Sequence, residues 1–337
     1  MLANLKLNLD SGSKIFQPGT EILGTVNVSS LGSVPLAGLN VTLIGTMQTL
    51  QVQGPYSELQ ESKNFCEESV SLVPLDSSAT SANQKSFPFV LMIPGNAPPS
   101  IVVNIHNRIS YKLRANIPSA HNVKAAERNV YMVTTVDLEK ASSKMQESVI
   151  HVPLDSRDSP VKYGGPVPAK YEKSYDVLSR GAILLEVEFP TPGIYTDDKL
   201  KLPIRLTFFG ELPRLTLRSL NVTIAEQTKL VTKGKENSDR KHHTIFTLKE
   251  RIDVTGMPSL DLTDMVEQRA AVPDLAPNFD RDMIGRSYTW SVTASFYKGL
   301  PSSPIPDQMF HVNCHSGLLI YGKRENLDIL PSYSRSY

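Results

Sequence analysis

The stretch Ile109-Ser-Tyr-Lys-Leu-Arg-Ala-Asn-Ile117 places Ile109, Tyr111, Leu113, Ala115 and Ile117 at every second position, with Ser110, Lys112, Arg114 and Asn116 between them. Successive strand side chains point to opposite faces, so a period of two predicts a strand with one face on a core and the other in water. Leu200, Leu202, Ile204, Leu206 and Phe208 repeat the pattern, as do Tyr288, Trp290, Val292, Ala294 and Phe296. Shorter versions run through Leu5, Leu7 and Leu9, through Leu39, Val41 and Leu43, and through Leu185, Val187 and Phe189. A helical period is nearly missing. Two short stretches are helix candidates: 123–128, and 262–270, where Asp261 or Thr263 stands ready to cap the first turn. Pro203 falls inside one alternating run and predicts an edge strand or a bulge there, because proline gives the ladder no donor. Many short strands, with 24 prolines and 19 glycines for the turns, predict an all-β chain of antiparallel immunoglobulin-like β-sandwich type.

The pattern then repeats. Ile15-Phe16-Gln-Pro-Gly19 has a counterpart in Ile194-Tyr195-Thr-Asp-Asp198, 179 residues on. Leu39-Asn-Val-Thr-Leu43 returns as Leu220-Asn-Val-Thr-Ile224 after 181 residues, and Ser110-Tyr111 as Ser287-Tyr288 after 177. Three matches in one order at a near-constant offset predict a duplicated unit. A chain of 337 residues also exceeds one ordinary core and suits two. The expected organisation is two tandem sandwiches, 1–152 and 180–325, a long surface linker at 153–179 and a short C-terminal tail at 326–337. Poor periodicity and clustered Pro and Gly across 142–180 suggest the linker. A Ser- and Ala-rich loop at 76–86 reads as an insertion in the first unit.

Charge is balanced, 35 Lys+Arg against 34 Asp+Glu, so no basic excess points to nucleic acid. Cys66 and Cys314 lie 248 residues apart and form no disulfide framework, which suits a reducing compartment. The first residues, MLANLKLNLD, alternate and lack the apolar segment of a signal peptide, and no run approaches the roughly 18 apolar residues of a membrane helix. The expectation is a cytoplasmic protein. His311-x-x-Cys314-His315 is the one metal-like cluster, but strand alternation sends its side chains to opposite faces and no further ligands stand at a recognisable spacing. Neighbouring carboxylates, Glu67-Glu68 and Asp197-Asp198, face apart for the same reason and make no acid/base pair. Without a nucleophile elbow, a Walker loop or a dinucleotide fingerprint, the reading assigns no catalytic residue, no metal and no cofactor, and expects no enzyme.

Phe16-Gln-Pro-Gly-Thr20, Ile22-Leu-Gly-Thr-Val-Asn-Val28, Leu36-Ala-Gly-Leu-Asn-Val-Thr-Leu-Ile-Gly45, Phe87-Pro-Phe89, Ala97-Pro-Pro-Ser100 and the Ser110-Tyr111 strand follow one another in an order that resembles the arrestin N-domain, specifically that of the fungal α-arrestins. Gly181-Ala-Ile-Leu-Leu-Glu-Val187, Gly193-Ile-Tyr195 and Leu200-Lys-Leu-Pro-Ile204 are similar to the opening of the arrestin C-domain. Thr196-Asp-Asp198 departs from it where a second Pro-Gly turn is usual. The resemblance implies an adaptor that binds the cytosolic tails of membrane proteins, with recruitment to plasma membrane or endosomes.

Two sequence features are candidate binding sites. The tail carries Leu330-Pro331-Ser332-Tyr333, close to the two-proline motif that WW domains grip in aromatic-lined grooves. Leu330 occupies the first proline position and pre-organises the backbone less, which predicts a weaker contact. The resemblance implies that Leu330, Pro331 and Tyr333 recruit a WW-containing HECT ubiquitin ligase, whose ubiquitination of the client would promote endocytosis. Lys229, Lys233, Lys235, Arg240, Lys241, His242 and His243 make a basic stretch. It reads either as a flexible solvated hairpin loop or as a client or anionic-lipid contact through Lys233, Lys235, Arg240 and Lys241, allowing peripheral membrane association. A second function remains open: a scaffold of a retromer-type sorting complex, independent of the tail.

Overall fold

The computed structural model describes residues 3–10, 14–30, 34–52, 57–73, 80–81, 85–103, 106–118, 120, 123–133, 142–156, 158–172, 181–191, 193–196, 199–304 and 309–320. The alternating runs are strands, and they stack as two β-sandwiches. Strand Arg108–Asn116 lies at the centre of the larger sheet of the first. It pairs with Asn40–Val52 on one side and with Ala126–Met132 on the other. Glu58–Ser71 and Ile15–Phe16 close the two edges. The facing sheet runs in the order Val123–Lys124, Ala3–Leu9, Glu21–Ser30, Lys85–Met92. Between the sheets lie Leu5, Leu7, Ile22, Val26, Leu43, Phe89, Tyr111 and Leu113, all buried. Burying each such aliphatic or aromatic side chain stabilises by about 1.5–3 kcal/mol. Gly24 serves this packing, because a Cβ there would stand 2.3 Å from the Asn8 carbonyl and 2.7 Å from the Phe89 ring.

The second sandwich repeats the larger sheet strand for strand. Gly193–Ile194, Phe310–Ile320, Ile284–Lys298, Leu215–Thr232 and Lys235–Leu248 stand in the same order as Ile15–Phe16, Ala126–Met132, Arg108–Asn116, Asn40–Val52 and Glu58–Ser71. In both, the two-residue edge strand pairs in parallel with the last strand of its unit. The three sequence matches at offsets of 177 to 181 thus fall on equivalent strands. Trp290, Phe189, Phe208 and Phe296 fill the second core, with the Phe189 and Trp290 rings stacked 6.4 Å apart.

Several expectations change. Residues 123–128 are not helical: Val123–Lys124 pairs in parallel with Ala3 and Asn4, and Ala126–Met132 pairs with Tyr111–Ala115. Two sheet edges needing partners override a weak local preference. The other helix candidate forms as Thr263–Arg269, and Asp261 Oδ1 accepts the Thr263 N–H at 2.9 Å. Pro203 precedes a strand rather than interrupting one. Ile204–Leu212 starts after it and lies inside its sheet, between Ala182–Thr191 and Val161–Gly164.

The linker differs most. Ser142–His151, assigned by sequence to the first unit, pairs along its whole length with Ala182–Thr191 of the second. Val152 is fully buried, and Val161–Gly164 pairs with Phe209–Leu212. Residues 165–172 then form a strap across the outer face of this sheet, where Val167 and Tyr171 cover Ala182, Leu184 and Phe209, and Lys170 pairs with Glu147. An apolar outer face requires such a cover. The polar edge strand that precedes it, with Lys144, Gln146 and Glu147, masks the period in sequence. Of the 76–86 loop, Thr80–Ser81 pairs with Val34–Pro35, and 76–79 and 82–84 lie outside the described residues.

Candidate partner-binding surfaces

The tail residues Leu330, Pro331 and Tyr333 lie outside the described residues. The described chain ends at Ile320, the last residue of the final strand, whose N–H donates to Asn278 Oδ1 at 2.5 Å. Asp197 and Asp198 are likewise outside, whereas Glu67 and Glu68 are exposed on Glu58–Ser71.

The basic stretch is a two-stranded ribbon. Leu215–Thr232 and Lys235–Leu248 meet at a two-residue turn, Lys233-Gly234, with positive φ at both residues (50° and 76°). That is the tight turn whose twist suits a hairpin. Lys233, Lys235, Arg240 and Lys241 are all exposed. Strand alternation sets Lys235 and Lys241 on one face and Arg240 on the other, so the four do not form a single patch.

The ribbon is not a loose loop, because its tip is held by the first sandwich. Gln51 Nε2 donates to the Leu230 and Lys235 carbonyls, each at 3.1 Å, and Thr49 Oγ1 donates to the Val231 carbonyl at 3.3 Å. The Lys233 N–H donates to the Glu61 carboxylate. Beside it, Lys63 pairs with Asp282 at 3.3 Å and Arg281 donates to the Asn96 carbonyl. Phe279, Met283 and Ile284, although they belong to the second half of the chain, are buried in the first core. Sequence reasoning missed this junction. Its signal is visible in hindsight: Thr49 and Gln51 continue the inward register of Val41, Leu43 and Met47, yet they are polar.

At the base of the ribbon, Glu226 sits between Arg286 at 3.0 Å and His243 at 2.8 Å, with Glu226 and Arg286 nearly buried. A buried carboxylate needs such partners. Among the described residues no group of three or more His, Cys, Asp or Glu is arranged to hold a metal. His311 and His315 point outward, and His311 meets the Ser295 hydroxyl at 2.9 Å. Cys314 points inward, where burial, then the nearby Glu147, push its thiol up to about 12. Burial and Glu68 likewise raise Cys66. Neither thiol is a ready nucleophile at neutral pH.

The first sandwich has relatives by sequence. Residues 5–139 match the family model of the arrestin (or S-antigen) N-terminal domain. The first sandwich is similar to an arrestin N-terminal domain. The match ends close to where Ser142–His151 joins the second sandwich, whose relation to the first rests on its repeated strand order. No curated protein matches the chain at a significant level. Among the described residues, no helix is long and apolar enough to cross a membrane.

Proposed function

We propose that this arrestin-like protein is a non-enzymatic adaptor of the α-arrestin type. Its sandwiches grip client proteins, the cytosolic tails of membrane proteins among them, and its tail recruits a WW-containing HECT ubiquitin ligase that marks the client for endocytosis. The match of the first sandwich to the arrestin N-terminal domain carries this reading. Leu330, Pro331 and Tyr333 add the ligase contact, with proline fixing the backbone and tyrosine filling the second slot. Neither contact has to be tight, because the first raises the effective concentration of the second. Lys233, Lys235, Arg240 and Lys241 offer an accessory contact for an acidic client segment or anionic headgroups. The site of action is cytoplasmic, with recruitment to plasma membrane or endosomes. Capture of the full chain on isolated WW domains tests the tail: Tyr333→Ala and Pro331→Ala are expected to abolish it, and undiminished capture of either variant refutes the ligase contact.

A tail-independent scaffold of a retromer-type sorting complex is the second reading. The hydrogen bonds from Thr49 and Gln51 across the domain junction favour it, since they make a single body suited to assembly. Stable co-purification with a sorting complex after removal of 326–337 would select it.

A further inference from the structure

The duplication supplies an internal control. Both larger sheets turn one face to their core and the other outward, and the inward faces match. The outward faces do not. On the central strand of the second sandwich, the outward residues are Ser287, Thr289, Ser291 and Thr293, flanked by Asn221 and Thr223 on one side and Asn313 and His315 on the other. No Lys, Arg, Asp or Glu occurs between Ser287 and Tyr297. On the first sandwich, the outward residues of the central strand are Arg108, Ser110, Lys112 and Arg114. Their neighbours on one side are Val102, Tyr131, Asn129 and Glu127, and on the other Gln48, Thr46, Ile44 and Thr42.

Two features mark this face. First, it exposes large apolar groups: Val102 is 71% exposed and Tyr131 51%. With half-buried Ile44 as part of the floor, they border a recess of about 410 Å³. Second, its positive charge is only partly answered. Glu127 is shared by Lys112 at 3.1 Å and Arg114 at 3.8 Å, while the Arg108 guanidinium rests on neutral Gln48 at 2.7 Å. The second sandwich builds the same sheet with Leu319, 43% exposed, in the place of Tyr131, but without Arg or Lys at the outward positions of its central strand, so core packing does not explain the charge.

We infer that this face, centred on Ser110 and bordered by Val102, Arg108, Lys112 and Tyr131, docks an extended segment of a partner protein in which apolar side chains are interleaved with carboxylates. The inference rests on the adaptor reading and locates the client grip. An apolar side chain enters between Val102 and Tyr131, covering surface that water now wets. A carboxylate beside it meets the Arg108 fork, with Lys112 about four residues, or roughly 13 Å, along the strand for a second. Ser110 and Thr46 supply hydroxyls between them. A recess with charge inside it suits a peptide better than a bilayer, which is met by protruding groups.

The probe is a labelled peptide alternating glutamate with leucine and phenylalanine, titrated into the full chain and followed by fluorescence anisotropy. Controls are the same peptide with lysine for glutamate, and phosphatidylserine vesicles. Arg108→Glu combined with Lys112→Glu is expected to weaken binding at least about tenfold, and Tyr131→Ser several-fold. Ser287→Glu with Thr289→Glu on the corresponding face is expected to leave it unchanged. All these side chains are solvent-facing, and a melting curve confirms that each variant is folded. Failure of the wild-type chain to bind, binding indifferent to Arg108 and Lys112, equal binding of the lysine peptide, or binding to vesicles alone overturns the inference. Loss of WW capture with peptide binding intact removes the ligase contact and leaves this surface standing.

Discussion

The two sandwiches share a larger sheet of one strand order and differ in what lies around it. The first leaves the outer face of that sheet open, basic and partly apolar. The second has no charged side chain at the outward positions of its central strand, covers its other sheet with the 165–172 strap, and sets the tip of one hairpin against its neighbour. The difference teaches a division of labour: the second sandwich is closed by its strap and tied into the junction, and the first, on the proposed reading, keeps surface free for partners. The junction is built into the first core, which borrows Phe279, Met283 and Ile284 from the second half.

That borrowing makes the strongest prediction. Trp290 is fully buried in the second core, and Trp290→Ala is expected to cost about 3–5 kcal/mol. Because the first core depends on the 279–284 segment, urea unfolding of the variant is expected to remain one transition at a lower midpoint. Two separated transitions would show that the sandwiches are independent. Leu113→Ala, at the equivalent place in the first sandwich, is expected to cost about 2–5 kcal/mol in the same single transition.

Next in size is the buried pair at the foot of the ribbon. Arg286→Ala leaves Glu226 with His243 alone, and losing one partner of a buried pair costs about 3 kcal/mol or more. A midpoint unmoved in urea would mean that Glu226 is solvated. Gln51→Ala removes both side-chain bonds to the ribbon tip, leaving the Leu230 and Lys235 carbonyls short of a donor. The expected cost is about 1–3 kcal/mol, with faster proteolytic cleavage at Lys233. Unchanged cleavage would show that the tip is held without Gln51.

The smallest effect concerns pH. Lys298 pairs with Asp155 at 2.6 Å and Asp158 at 2.7 Å, tying the segment after Val152 to the second sandwich. Burial works to raise the Asp158 carboxyl, but Lys298 and the Asp155 N–H outweigh it and hold the group below the usual carboxylate value. A depressed carboxylate contributes stability above its unfolded value and loses it as pH falls through the folded one. Wild type is therefore expected to lose slightly more stability than Asp158→Asn below about pH 4. Parallel pH profiles would remove Asp158 from the account.

The sequence made the sandwiches legible because their strands bury one face. Every residue from Ile109 to Ile117 follows the period, and the offsets of 177 to 181 fall on equivalent strands. It hid the linker's true place because an edge strand such as Ser142–His151 is largely polar on both sides, and its membership is decided by a partner, Ala182–Thr191, 40 residues away. It hid the junction because Gln51 and Thr49 find their acceptors some 180 residues on. The basic ribbon was visible as charge, but its split over two faces becomes clear only with the pairing register. The face around Ser110 was visible only as the polar half of a strand, and its meaning needed the second sandwich beside it.

The adaptor account is tested most directly by proximity labelling from the full chain and from a chain lacking 326–337. It predicts that the ligase disappears from the labelled set on truncation while client proteins remain. A ligase labelled equally by both chains would contradict it.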